Sequence, residues 1–146
     1  MIKKGVYAAG LSVLNTDRTL NIDETINHAS QAIQNGLHGV FFFGSTGQSQ
    51  LISTNEKKEL IAKIASNKFK KNFFLGTGNN SLNENIDLIK YSMEYDFREF
   101  LIMPPAYYKG NTDEGVFDFY SRLIKALPKV KIILYNFEKL SGYKFS

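Results

Sequence analysis

The chain has 146 residues, enough for one ordinary domain and too few for two. Its net charge of +4, absence of cysteine and 43% hydrophobic content exclude a disulfide scaffold and thiolate chemistry. No apolar run approaches the roughly 20 residues that cross a bilayer, and two histidines, His28 and His38, cannot make a His-rich metal site. Behind Met1-Ile-Lys-Lys-Gly5 come Ser12, Asn15, Asp17 and Arg18, a poor apolar core for a signal peptide, so a cytoplasmic protein is expected. Lys57, Lys58, Lys63, Lys68, Lys70 and Lys71 read as the solvated face of one helix and its exit. No recognition motif accompanies them, and neither nucleic acid nor membrane is an expected partner.

Gly5 to Leu14 reads as a first strand rich in small residues. Asn21-x-x-Glu24 then caps a helix with Ile22, Ile26, Ala29 and Ile33 at helical spacing, and Asn35-Gly36 stops it. Val40 to Phe43 is all apolar, the pattern of a strand buried on both faces, and it breaks at Gly44 into a loop of small and hydroxylated residues. Ser53-x-x-Glu56 has the form of a capping box, opening a helix expected from about Thr54 to Ser66 with Leu60, Ile61 and Ile64 inward. Phe73 to Thr77 is a third strand. Ser81-x-x-Glu84 caps a third helix with Ile86, Ile89 and Met93 inward. Glu99 to Met103 is a fourth strand, stopped by Pro104-Pro105. Asn111-x-x-Glu114 is the expected cap of a fourth helix bearing Val116, Tyr120, Leu123 and Leu127, and Lys131 to Tyr135 is a fifth strand. Asn136 to Ser146 reads as irregular.

Repetition of βα units about 30 residues long indicates a parallel α/β architecture. Two closures fit: an open doubly wound sheet, which five strands suffice to build, or a (β/α)₈ barrel, which needs about 250 residues. Length alone favours the open sheet. In both, ligands sit at the carboxyl ends of the strands. Those ends carry Ser12, then Gly44-Ser45-Thr46-Gly47, Thr77 to Asn80, Tyr107 and Tyr108, and Tyr135-Asn136. The set is rich in hydroxyls and nearly free of charge. It suits a small carboxylate or carbonyl held by N–H and O–H donors, with phenols available for proton transfer.

Motifs at three of the five strand ends resemble one family. Gly44-Ser-Thr-Gly47, Met103-Pro-Pro-Ala-Tyr-Tyr-Lys-Gly110, and Tyr135-Asn136 followed by Leu140-Ser-Gly142 are similar to the dihydrodipicolinate synthase / N-acetylneuraminate lyase family. Its members are pyruvate-dependent class I aldolases on a (β/α)₈ barrel. The resemblance runs from Gly5 onward and shifts the expected fold to that TIM barrel, here its first five strands and four helices over residues 1–146. It implies that Ser45 and Thr46 bind the carboxylate of pyruvate. It also implies that Tyr135 transfers protons during imine formation and the carbon–carbon step, and that Tyr108 relays protons, typically across a dimer interface.

The family's imine-forming lysine sits on a sixth strand, which this chain lacks; Lys109, Lys131, Lys139 and Lys144 are poorly placed to replace it. The expectation is therefore an N-terminal portion of such a barrel, inactive alone, using no cofactor or metal, and forming a homo-oligomer when complete. Gln48, Ser12-Val13, Phe137-Glu138 and Leu140 depart from the family pattern, Leu140 standing where the dihydrodipicolinate synthases carry a substrate-binding arginine. These departures favour a 2-keto-3-deoxy sugar acid or sialic acid as substrate. The alternative is a non-catalytic five-strand α/β module binding a phosphate or flavin at the Gly44–Gln48 loop.

Overall fold

The computed structural model describes residues 2–145; Met1 and Ser146 lie outside the described residues. In chain order the elements are β1 (Tyr7–Ala9), α1 (Ile22–Gln34), β2 (Gly39–Phe42), α2 (Thr54–Ile64), β3 (Phe73–Gly76), α3 (Leu82–Glu94), β4 (Glu99–Ile102), α4 (Asp113–Ala126), β5 (Lys131–Leu134) and the short α5 (Glu138–Ser141). All strand pairings are parallel, and the sheet order is β1-β2-β3-β4-β5.

That order decides between the two closures. Crossovers between parallel strands are right-handed, so steps that always advance in one direction put every helix on one face. A doubly wound sheet reverses direction at a switch point, and this sheet does not. It is the curved wall of a TIM barrel, with helices outside and a concave inner face.

Alternation along the strands sorts the residues accordingly. Val40, Phe42, Phe73, Leu75, Phe100 and Ile102 are buried beneath the helices, where they join Leu60, Ile61, Ile64, Leu88, Ile89 and Leu123 in one core. Tyr7, Phe41 and Phe74 belong to the opposite face. Their rings meet at 5.1 to 6.0 Å, with Phe41 stacked on its register partner Phe74.

The helix starts follow sequence chemistry closely. Asn21, Ser53 and Ser81 accept from the N–H groups of Glu24, Glu56 and Glu84, and Ser53 with Glu56 completes the capping box. Glu56 also accepts from the Leu20 N–H at 2.7 Å, tying the end of the β1–α1 connection to α2. Several boundaries differ from expectation. The first strand is only Tyr7–Ala9, because the connection after Gly10 turns back on itself through a Leu14–Leu20 bridge. The second helix ends at Ile64 rather than Ser66. The fourth helix is capped by Thr112, which accepts from Gly115 N–H at 3.1 Å, instead of by Asn111; the Asn111 carboxamide donates to the Pro105 carbonyl. Residues 136–145 are not wholly irregular, since α5 lies within them. On α3 the buried stripe is Asn85, Leu88, Ile89 and Ser92, with Ile86 and Met93 only partly covered.

Candidate functional site at the carboxyl rim

A parallel sheet gathers the carboxyl ends of its strands at one edge. The loops after β2, β4 and β5 therefore bring Ser45, Thr46, Tyr108 and Tyr135 to the same rim. Two of the four touch: Ser45 Oγ and Tyr135 Oη lie 2.8 Å apart. Tyr108 is 81% exposed, its ring edge-on to Tyr107 at 5.0 Å. Thr46 is exposed, and its side chain makes no hydrogen bond among the described residues.

The loop after β2 is bent by its backbone. Phe43 and Gln48 both hold left-handed conformations, with φ of 59° and 52°, and such residues cluster where a chain is held against its preference. Gly47 is required by space: a Cβ there would stand 2.8 Å from the Gly10 carbonyl oxygen. Ser12 Oγ donates to the Gly47 carbonyl at 2.6 Å, which locks the exit of β1 against this loop. Within it, Gln48 and Ser49 donate to Ser45 and Gly44 carbonyls. The N–H groups of Ser45, Thr46 and Gly47 have no acceptor among the described residues. Three successive N–H groups without an acceptor, beside two hydroxyls, are donors of the kind that can cradle a small anion.

A cavity of about 50 Å³ opens beside this cradle, lined by Ser45, Gln50, Gly78, Leu101, Met103 and Tyr135. A groove of about 240 Å³ adjoins it and adds Asn80, Tyr107 and Leu140. A basic basin of about 440 Å³, with Lys71, Arg98, Lys129 and Lys131, lies at the amino ends of the strands, the wrong edge for this chemistry. No group of three or more His, Cys, Asp or Glu side chains among the described residues could hold a metal ion.

The main correction concerns Lys57. It is not on a solvated face but 1% exposed, its Nζ donating to the Thr77 carbonyl at 2.9 Å and Asn79 Oδ1 at 3.0 Å. Burial pulls its pKa down to about 8, partly opposed by the charge of Glu84. The sequence did hold a signal. Lys57, Leu60, Ile61 and Ile64 stand at i, i+3, i+4 and i+7, so the apolar stripe extended back one turn lands on this lysine. His38, by contrast, is structural, its Nδ1 accepting from Val6 N–H at 3.0 Å. Among the described residues, no helix is long and apolar enough to cross a membrane.

Comparison with known proteins places this rim in context. The profile of the Dihydrodipicolinate synthetase family matches residues 3–146. N-acetylneuraminate lyase of Fusobacterium nucleatum is 30% identical over 98% of this chain and 49% of its own length. Dihydrodipicolinate synthase of Agrobacterium tumefaciens superposes with a TM-score of 0.90 at 27% identity, over 99% of this chain and 51% of that one. The chloride-inhibited dihydrodipicolinate synthase of Acinetobacter baumannii, complexed with pyruvate, gives 0.85 at 26% identity, over 97% and 48%. The chain thus spans about half the length of such relatives. By profile, by sequence and by the course of its sheet, it belongs to the dihydrodipicolinate synthetase family.

Proposed function

We propose that this rim is the pyruvate end of a class I aldolase site, and that the protein acts as a carbon–carbon lyase joining or splitting pyruvate and an aldehyde. The 2.8 Å contact between Ser45 and Tyr135 carries the reading, because it sets a proton-sharing pair beside a free N–H cradle. In this reading the hydroxyls of Ser45 and Thr46 and the loop N–H groups hold the carboxylate. A lysine amine adds to C2 of pyruvate. The resulting hydroxyl accepts a proton from Tyr135 and leaves as water, forming the protonated imine. That imine draws electrons as C3 loses a proton, and the enamine C3 then bonds the aldehyde carbon, whose oxygen takes up a proton. Tyr135 gives and recovers these protons, with Tyr108 as the relay. No cofactor or metal enters the scheme.

Residues 1–146 are proposed to be the N-terminal portion of one barrel domain, with the imine lysine supplied from outside them. Neither the cavity nor the adjoining groove is lined by a lysine. Lys57 has a suitably lowered pKa but is sealed away from ligand. Leu140 in the groove, and the likeness to a sialate lyase over nearly the whole chain, support a sugar-acid substrate over the aspartate-derived aldehyde of dihydrodipicolinate synthesis. Exposure of Tyr107 and Tyr108 supports assembly as a homo-oligomer. Titration calorimetry tests the binding claim. Pyruvate should bind this chain more tightly than inorganic phosphate does, and Ser45→Ala should weaken it about tenfold, the loss of one good hydrogen bond. Tighter binding of phosphate or a flavin would transfer the loop to a non-catalytic module. Borohydride added with pyruvate should trap no stoichiometric adduct on this chain alone.

A further inference from the structure

We propose that Lys57 is a positioning residue: from the outer side of the sheet it sets the path of the β3 loop, and through that loop the path of the Tyr107–Tyr108 loop. The connection can be followed bond by bond. Lys57 Nζ holds the Thr77 carbonyl and Asn79 Oδ1. Asn85 on α3 braces the same turn: its Nδ2 donates to the carbonyls of Asn79 at 3.1 Å and Ser81 at 2.8 Å, and its Oδ1 accepts from the Thr77 hydroxyl. The next residue, Asn80, is thereby presented toward β4. Its Oδ1 accepts from the N–H of Ala106 at 2.7 Å and of Tyr107 at 3.2 Å. Its Nδ2 donates to Gln50 Oε1 at 3.1 Å, and Gln50 donates in turn to the Gly78 carbonyl. One buried amine thus governs a ring of contacts joining the loops after β2, β3 and β4.

The chemistry of this site suits positioning better than core packing. A hydrocarbon at position 57 would fill the space without the desolvation cost of an amine. Asn79 Nδ2 is buried without a hydrogen-bond partner among the described residues, and the Asn79 side chain is held there by the Lys57 amine, which donates to its Oδ1. The two acceptors match the two N–H donors of a neutral amine, so the grip is one of directed hydrogen bonds and survives loss of the charge. Gly78, between them in the chain, has φ of 63°, and a Cβ there would strike the Ser49 side chain, so this path of the turn admits only glycine.

The inference depends on the pyruvate reading only for why the tyrosine loop must be held. Its test is therefore made without ligand. Hydrogen exchange at the amides of Ala106 and Tyr107 should speed up at least tenfold in Lys57→Met, which keeps the side-chain volume, and equally in Asn80→Ala. The double variant should be no faster than either single one, because both changes cut the same connection. Exchange in the centre of α4 serves as the control for global destabilisation and should change less. Asn79→Ala gives a second route to the same break should Lys57→Met fold poorly. Unchanged exchange at Ala106 and Tyr107 in Lys57→Met, or additive effects in the double variant, would overturn the proposal. Failure of the wild-type chain to bind pyruvate, with exchange at Ala106 and Tyr107 still faster in Lys57→Met, would count against the functional reading of the rim and leave this one intact.

Discussion

Ser45 Oγ and Tyr135 Oη are 90 residues apart in the chain and 2.8 Å apart in space, joined across the carboxyl ends of β2 and β5. The pair is exposed enough for water to replace either partner, so its value lies in chemistry rather than in stability. Tyr135→Phe should change the unfolding free energy by less than about 1 kcal/mol, measured by denaturant titration. A loss of several kcal/mol would show the phenol to be a structural strut.

Lys57 makes a signed prediction for alkaline pH. Its folded pKa is near 8 against an ordinary 10.5, so between those values the unfolded chain holds a proton that the folded chain has released. Stability attributable to this residue must then rise with pH, by up to ~3 kcal/mol across that window. The measurement is the difference in unfolding free energy between wild type and Lys57→Met at pH 7.5 and pH 10, which cancels other titrating groups. The gap should move in favour of wild type. Asn79→Asp, by placing a carboxylate against the amine, should raise the Lys57 pKa and abolish the movement.

Much of this architecture was legible in the residues, for reasons that differ by level. Helix starts were readable because capping is local: Ser53 and Glu56 meet within one turn. The fourth cap was misplaced by one residue, since Asn111 and Thr112 are both competent and only the Asn111 bond to Pro105 decides between them. Strand order was not readable, because βα repeats are the same in open sheets and barrels; the family resemblance, and not the periodicity, pointed to the barrel. The buried Lys57 was missed because charge was weighed above spacing. The left-handed Phe43 was invisible, since neighbouring glycines gave the obvious explanation for a turn there.

Glu56 predicts an acid-side effect of opposite sense. Hydrogen bonds from Ser53 and from Leu20 N–H favour its carboxylate and hold its pKa below the usual 4.5. Its contribution is therefore complete above pH 4.5 and lost as pH falls through the lowered value. Glu56→Ala should cost about 1–2 kcal/mol at pH 7, the range for a helix cap with one further bond, and little at pH 2. An equal cost at both pH values would contradict the assignment to the charged form.

The edges of the sheet make a prediction about association. β1 and β5 each have one partner strand, and Val6 and Leu134 are 63% and 49% exposed beside them. Unpaired parallel edges are sticky. By itself the chain should associate in light-scattering measurements at tens of micromolar, and Leu134→Lys should reduce this. A monodisperse monomer with sharp cooperative unfolding would count against the partial-barrel proposal.

The central claim is that one small 2-oxo acid sits in the Ser45–Gly47 cradle against Tyr135. The most direct measurement is an amide and aromatic NMR titration of this chain with pyruvate, repeated on Tyr135→Phe. The account predicts saturable shifts at the amides of Ser45, Thr46 and Gly47 and at the Tyr135 ring, with the affinity reduced in the variant. Shifts confined to the basic basin of Lys71, Arg98 and Lys129, or identical in both proteins, would contradict it.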